Sequence, residues 1–325
     1  MLGHEGGEAR ADMTYSIVAH DPDTGEFGVA VATGGPAVGA MVPWVEPGVG
    51  AVATQSFTNM DLGPLALARL REGHPAPVAL RALIEADPSR EVRQIGVVDV
   101  TGTSAAFTGR DCVAEAGHVL GSGVSAQANM VERADTWLAM QVAFSASSGD
   151  LADRMLQALR VAEREGGDIR GTRSAALVVS PGAPASRPWV RRFDLRVDLS
   201  ANPLDDLTDL LRGARAFEAF DAAFEANRAD DVATVLDRTT EAYALEPGDA
   251  RIGFWHAMAL LANGHPEEAR PVLVEALEME PRMAEFARRY VEAGHGGPLT
   301  AVLDEVGNAP LAAPLRPTGR RQRRR

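Results

Sequence analysis

The sequence predicts a mixed α/β protein, in which a layered α/β sandwich is followed by an all-α region of helical repeats. Two observations lead to this prediction. Up to residue 199, strands and helices come in groups, and the helices arrive in pairs joined to hairpins by short turns. This order favours antiparallel sheets covered by helices over a parallel βαβ winding. From Pro203 onward the pattern is helical throughout and contains an internal repeat.

The first group of elements is a β-hairpin, a third strand and a pair of helices. The hairpin begins at Thr14, and its turn is predicted at Asp21–Gly25, where Pro, Asp and Gly stand at positions that reverse a chain. After the third strand, the apolar residues change to helical spacing. The predicted elements are strands over 14–21, 26–33 and 50–55 and helices over 62–72 and 77–86.

The second group repeats this alternation. A turn at Thr101-Gly102 separates two strands, and the segment 117–129 is predicted to be a Gly/Ser-rich loop. Gly166-Gly167-Asp168 ends the second pair of helices. The predicted elements are strands over 94–100 and 104–108, helices over 134–146 and 151–165, and strands over 174–180 and 190–199.

The helical region contains two copies of a unit with the tetratricopeptide period of 34 residues. Small residues at fixed positions of such units lie where two helices approach closely, and the Pro ends the second helix. Two copies are fewer than a free-standing solenoid needs, so we expect them to pack on the first domain or on another subunit of a homo-oligomer. The recurring residues are Ala223, Ala242 and Pro247 in the first copy and Ala257, Ala276 and Pro281 in the second.

These patterns divide the chain into four segments. Residues 1–13 are predicted to be a leader or a wrongly assigned start, 14–200 the sandwich domain, 203–295 the helical extension and 296–325 a disordered basic tail. The tail ends in an arginine-rich run at Arg320–Arg325. Such a run either is a solvated extension or contacts an acidic surface or a nucleic acid, and we favour the solvated extension on this acidic protein.

Composition excludes several classes of function. The chain has 45 acidic and 32 basic residues, a net charge of −13, and every basic residue is Arg. Without Lys there is no Walker-type phosphate loop, no pyridoxal Schiff base and no Ser-Lys acylation pair. Because acidic residues outnumber basic ones, the composition argues against nucleic-acid binding. No apolar run is long enough to span a membrane and no signal peptide is visible, so we expect a cytoplasmic protein without membrane association.

Metal and thiol chemistry also have little support. Cys112 is the only cysteine, which excludes an intramolecular disulfide and a Cys-rich zinc site. The seven His include no HExxH motif and no pair spaced three or four residues apart. We therefore expect neither a metal nor another cofactor.

The informative position for catalysis is Met13-Thr14. Removal of Met13 would expose the Thr14 hydroxyl beside its own α-amine, whose ordinary pKa of about 7.7–8.0 suits a general base near neutrality. One residue then supplies the nucleophile and the base, as in N-terminal-threonine enzymes. The alternative is that Thr14 is simply the first residue of a strand.

Many segments of the chain, in order, resemble the domain-of-unknown-function family 1028, from Thr14 to about Leu199. The resemblance implies a four-layer αββα sandwich of the Ntn-hydrolase type. Members commonly open with Met-Thr and often add a C-terminal helical extension. The matching segments are Thr14–Ala19, Asp21–Glu26, Gly28–Val31, Ala37–Gly39, Val42–Trp44, Gly48–Gln55, Arg93–Asp99, Ala106–Gly109, Ala116–His118, Ser125–Gln127 with Asn129, Gly167-Asp168, Arg170-Gly171 and Ser174–Leu177.

The resemblance implies a site around Thr14, which is the candidate nucleophile and base for cleaving an amide bond in a small or peptide-like substrate. Thr33, at the end of the second strand, and Asp168 and Arg170, before the penultimate strand, are candidate catalytic partners. Each of the supporting residues has an alternative role as a turn or capping group. The candidate groups for oxyanion or substrate binding are Gln55 at the end of the third strand and Ser125, Gln127 and Asn129 in the Gly/Ser-rich loop.

One departure from the family pattern bears on activity. Relatives often have a Lys or Arg just after the position of Thr33, where this chain has Gly34-Gly35-Pro36. Such a cation lowers the pKa of the amine, and Arg170 or Arg110 would have to replace it. Two hypotheses follow. The first is an N-terminal-threonine amidohydrolase, and the second is a non-catalytic scaffold or binding protein whose helical repeats recruit a protein partner.

Overall fold

The computed structural model describes residues 11, 12, 14–184, 187–295, 297, 299, 300 and 303. They form two antiparallel β-sheets and a C-terminal helical region, which confirms the predicted mixed α/β class. The first sheet contains β1 (Ala11–Asp12), β4 (Pro43–Glu46), β5 (Gly50–Phe57), β6 (Arg93–Asp99) and β7 (Ser104–Thr108). The second contains β2 (Thr14–His20), β3 (Phe27–Thr33), β8 (Gly117–Gly121), β9 (Val124–Asn129), β10 (Ser174–Ser180) and β11 (Phe193–Val197).

The strand order places β2 in the middle of the second sheet. That sheet runs β11-β10-β3-β2-β9-β8, and the first runs β1-β5-β6-β7 with β4 also paired to β5. Strands β2 and β9 contact β5 and β6 across the space between the sheets. Because side chains alternate along a strand, one face of each sheet turns toward the other. Part of this shared layer is an apolar buried cluster, to which Val18, Val31, Ala53 and Val98 belong.

Each sheet is covered on its other face by a pair of helices. Helices α1 (Leu62–Arg71) and α2 (Ala76–Ala86) contact β5 and β7, and helices α3 (Thr136–Ala146) and α4 (Leu151–Arg164) contact β9, β2 and β3. The first pair buries its apolar stripe against Val52 and Val97. The predicted grouping of two strand sets with two helix pairs is therefore confirmed.

One predicted element is wrong, and two strands were not predicted. The segment 117–129 is not a loop but a β-hairpin, β8 and β9, which turns at Gly123 with a φ of +68°. Its Gly, Ser and Ala content lowered the strand signal, yet each of the six residues of β9 is buried because the strand pairs with the central β2. The short strands β1 and β4 had no strand pattern of their own.

The helical region begins at Pro203, as predicted. It contains α5 (Pro203–Arg228), α6 (Val232–Leu245), α7 (Ala250–Ala262), α8 (Pro266–Met279) and α9 (Pro281–Tyr290). The contacts divide the chain into two compact units, and the boundary falls inside α5, between Leu211 and Arg212. The repeated alanines are all buried, from fully to 96%. Among the described residues, no helix is long and apolar enough to cross a bilayer.

Two of the predicted segments lie largely or wholly outside the part of the chain that the structure describes. They are residues 1–13 apart from Ala11 and Asp12, and residues 296–325 apart from 297, 299, 300 and 303.

Candidate functional site

The candidate site lies at one end of the second sheet, where β2 begins. Thr14 is the register partner of Thr33 on one side and of Asn129 on the other, and Thr33 is also the partner of Ser174 on β10. Four polar residues thus stand in one row across the sheet. The chain passes from the first sheet to the second between Asp12 and Thr14, since β1 pairs with β5 and β2 does not.

Thr14 is held through its hydroxyl and through its carbonyl. Its side chain donates a hydrogen bond from Oγ1 to Oγ1 of Thr33 at 3.3 Å. Its carbonyl oxygen accepts from Nε2 of Gln55 at 3.1 Å and from Nδ2 of Asn129 at 3.3 Å. Thr14 is 1% exposed, and both amides are fully buried. Groups from both sheets therefore position this one residue.

A residue that sequence reasoning missed, Gln94 on β6, organises these two amides. Its Oε1 accepts from Nε2 of Gln55 at 2.7 Å and from Nδ2 of Asn129 at 2.9 Å. Its Nε2 lies 2.9 Å from Thr108 Oγ1 and 2.8 Å from the carbonyl of Ala128. The available signal was the alternation of β6, which places Gln94 on the same face as Gly96 and Val98, where an apolar residue is expected.

Ser125 and Gln127 join the same network through Ser16, a second residue that the sequence did not single out. Gln127 Nε2 donates to Ser16 Oγ at 2.6 Å, and Ser16 Oγ donates to Gln55 Oε1 at 2.5 Å. Ser125 Oγ donates to Gln127 Oε1 at 2.7 Å. The β9 residues predicted on a loop are therefore on a buried strand. The strand places alternate residues on one face, which is why all three polar side chains point into the same layer.

Asp168 and Arg170 approach the site from the chain before β10. The Asp168 carboxylate accepts a hydrogen bond from the backbone N–H of Gly34, the residue after Thr33. Arg170 returns to Asp168 through Nε and Nη2, both at 3.3 Å, and its side chain is 44% exposed while that of Asp168 is fully buried. A Cβ at position 34 would lie 2.6 Å from the Asp168 carboxylate, which explains the glycine there. Where relatives often have a Lys or Arg side chain, this chain therefore has the Asp168 carboxylate, which pairs with Arg170.

Arg110 does not take the place of the expected cation near Thr33. Its side chain is 78% exposed and pairs with Glu91 and Asp111. The structure gives it no contact with the row of Thr14.

The network consists of neutral groups, with one titratable residue at its end. Thr108 Oγ1 lies 2.9 Å from Nδ1 of His118 on β8. Burial lowers the pKa of His118, so the neutral imidazole is favoured. On the opposite face of β2, burial followed by the nearby Glu163 carboxylate raises the pKa of Tyr15, which keeps that phenol protonated. Groups of His, Cys, Asp and Glu suited to a metal ion do not occur within the described ranges.

One atom of the site is left without a partner. Asn129 Oδ1 is buried and accepts no hydrogen bond from the described residues. Buried acceptors are nearly always paired, and an orphaned one costs about 1–3 kcal/mol. Asn129 is the register partner of Thr14 and donates to its carbonyl, so this unpaired acceptor lies on a side chain that contacts Thr14 and can receive one further donor.

The fold and this site define a two-sheet α/β protein with a buried layer of amides and hydroxyls around the first residue of a central strand. The chain belongs to the family of unknown function DUF1028, whose model matches residues 14–207. It is similar to the crystal structure of protein SPO2555 from Silicibacter pomeroyi, described as family-model DUF1028, at 34% identity with a TM-score of 0.56. The match covers 62% of this chain and 89% of that one. No curated protein matches the chain.

Proposed function

We propose that this chain is an N-terminal-nucleophile amidohydrolase of the Ntn type, with Thr14 as the nucleophile. The observation that carries the proposal is the immobilisation of Thr14 by groups from both sheets, beside the unpaired Oδ1 of Asn129. Two side-chain amides, both supported by the amide of Gln94, converge on the carbonyl of Thr14. The succession of helix pair, sheet, sheet and helix pair supports a four-layer sandwich of this type.

The proposed reaction requires a free amine at Thr14, and so removal of Met13. The amine takes the proton of Thr14 Oγ1 as the oxygen attacks the carbonyl carbon of the substrate amide. The C–N bond then breaks, the leaving amine receives that proton, and the acyl group remains on Oγ1 as an ester. Water, deprotonated by the same amine, hydrolyses the ester and restores Thr14. Asn129 Oδ1 is the acceptor that a donor on the substrate or on the freed amine would fill.

The three side-chain amides differ in how many of their N–H groups are already hydrogen-bonded. Both N–H groups of Gln55 Nε2 and of Asn129 Nδ2 are engaged, by the Thr14 carbonyl and by Gln94 Oε1. Among the described residues, Gln127 Nε2 has one hydrogen bond, to Ser16. We therefore assign Gln55 and Asn129 to positioning Thr14, and Gln127 to oxyanion or substrate binding, where the spare N–H stabilises developing charge. Asp168 and Arg170 complete the site as the charged pair behind Thr33.

The decisive experiment measures the start of the mature chain and then its acylation. Intact mass of protein made in its native host is expected to give a chain that begins at Thr14. A β-lactone probe should acylate that chain once, at Thr14, and Thr14→Ala should abolish the labelling. Thr103→Ala, at an exposed position after the turn, is the matched control and should label like the wild type. A mature chain that retains Met13, or equal labelling of the Thr14→Ala variant, contradicts the mechanism.

The second candidate function is a scaffold that recruits a protein partner through the helical unit. It is favoured by a mainly apolar cavity of about 240 Å³ whose wall includes Phe224, Trp255 and Tyr290. Affinity capture with the full chain and with Phe224→Glu tests it. A partner held by the wild type and lost by the variant is expected, while equal retention by both contradicts this function.

A further inference from the structure

A cavity between β4 and β11 combines two tryptophans with an excess of positive charge. Its volume is about 320 Å³, at the lower end of small-molecule pockets. Glu46 on β4, Asp194 and Arg196 on β11, and Arg191 between them supply its charged groups. The wall also includes Trp44, Leu67 and Trp189.

The two carboxylates of this cavity are already neutralised. Arg71 forms a two-pronged pair with Glu46, with Nε 2.8 Å from Oε1, and Arg196 binds Asp194 through Nε at 2.8 Å and Nη2 at 3.2 Å. The cavity and its immediate partners therefore contain three guanidinium groups, of Arg71, Arg191 and Arg196, and two carboxylates. Within the described part of the chain, Arg191 has no carboxylate at ion-pair distance, so the surplus of one positive charge belongs to it.

Arg191 is half-buried and only partly engaged. Its Nη1 donates to the carbonyls of Pro188 and Val190, each at 2.8 Å. Its Nε and Nη2 donate to no described residue, so the edge of the guanidinium that fits a carboxylate is available. A half-buried cation with no carboxylate at ion-pair distance within the described residues gains from an anion that binds it directly.

The two indole rings differ in their surroundings. Trp44 donates from Nε1 to the carbonyl of Met41 at 3.2 Å, and its ring lies so close to Gly63 on α1 that a Cβ there would overlap it. Trp189 is 69% exposed, which is unusual for the largest apolar side chain. One fixed and one open aromatic surface thus flank the surplus guanidinium.

We propose that this cavity binds a small aromatic carboxylate, with the carboxylate on Arg191 and the ring against the tryptophans. A single negative charge matches the single surplus cation, and a guanidinium fork binds a carboxylate through two parallel hydrogen bonds. Planar rings stack favourably on indole. The site is separate from that of Thr14, because Val178 in its wall is four residues along β10 from Ser174, about 13 Å at the rise of a strand.

The test uses 1-naphthoate and its neutral isostere 1-naphthamide on the full-length, ¹⁵N-labelled protein. The four Trp indole N–H signals report where each probe binds. Naphthoate is expected to shift the signals of Trp44 and Trp189 and to leave those of Trp137 and Trp255 in place. Naphthamide, which lacks the charge, should bind at least about ten-fold more weakly. Tighter binding of 1-naphthyl phosphate than of naphthoate would overturn the assignment to a carboxylate.

Substitutions of Arg191 test whether this residue binds the carboxylate. Arg191→Gln should weaken naphthoate binding at least about ten-fold, whereas Arg191→Lys, which keeps the charge without the fork, should weaken it less. Arg81→Gln, on the exposed face of α2, removes the same charge elsewhere and should bind like the wild type. The indole spectrum of each free variant reports its folding. Shifts at Trp255 alone, equal binding of naphthamide, or equal affinity of the Arg191→Gln and Arg81→Gln variants would each refute the site.

Discussion

Gln94 is the residue on which the buried layer depends most. Its Oε1 accepts from two amides, and its two N–H groups are shared among a hydroxyl and two backbone carbonyls, at distances of 2.7–3.1 Å. Such a side chain cannot be replaced by an apolar one without leaving several buried groups unpaired. Each of these would then lose its partner in a dry environment, where the loss is largest.

Replacing Gln94 by Ala should therefore destabilise the protein by about 2–4 kcal/mol. Urea unfolding of the full chain measures the change. Gln141→Ala is the matched control, because the side chain of Gln141 on α3 bonds the nearby Ser145 in a partly exposed setting, and it should cost under about 1 kcal/mol. A Gln94→Ala variant as stable as the control would show that the network contributes nothing to folding.

His118 makes the stability of the network depend on pH. Burial lowers the pKa of His118 in the folded chain below the ordinary 6.5 of the unfolded chain. Between the folded and the unfolded pKa, the unfolded chain binds the proton more readily. The stability contributed by neutral His118 is present above pH 6.5 and is lost as the pH falls below it. His20 and His256 share this direction because burial lowers their pKa as well.

We expect the melting temperature to fall between pH 7.5 and pH 5.5 and to fall less in His118→Gln. Thermal unfolding followed by circular dichroism checks this difference. At pH 8, where the imidazole is neutral in both states, the variant should differ from the wild type only by its lost packing and hydrogen bond. A pH dependence that is equal in the two proteins would exclude His118 as a contributor.

At the scale of elements, the close approach of β6 and β9 decides where the amides can lie. Gly96 stands opposite Gln127, and a Cβ at position 96 would overlap the amide oxygen of Gln127. The glycine thus makes room for a polar side chain from the other sheet. In β9, sequence reasoning recognised the polar residues but not the strand, because Gly, Ser and Ala have low strand propensity and the pairing with β2 supplies the stability.

Gly96→Ala should destabilise the protein by about 1–3 kcal/mol, since the added methyl displaces Gln127 in a packed interior. Gly248→Ala, where no atom lies within 4 Å of the added Cβ, is the control and should be close to neutral. Urea unfolding compares the two. An unchanged Gly96→Ala variant would mean that the two sheets separate easily at this point.

At the scale of the whole molecule, the chain contains two compact units with separate apolar clusters. Val52 and Val97 belong to a cluster of the first unit, and Leu273 and Phe254 to a cluster of the second. Units with their own cores can unfold in separate steps. The boundary inside α5 means that a helix, rather than a loop, connects them.

Calorimetry of the full chain should therefore show two transitions. Leu273→Ala, which removes a fully buried side chain, should lower one transition by roughly 10 °C or more and leave the other in place. Leu65→Ala, at a residue 52% exposed on α1, should move neither transition appreciably. A single transition that Leu273→Ala shifts as a whole would contradict the separation.

The sequence by itself determined the order and type of most elements and the start of the helical region. These are readable because hydrophobic periodicity and turn residues act locally along the chain. Only the tertiary structure decided which polar side chains meet, that Gln94 and Ser16 belong with Thr14, and that Asp168 fills the space beside Gly34. Hydrogen bonds between residues 39 to 111 positions apart depend on strand pairing and on sheet-to-sheet packing, which no local pattern encodes.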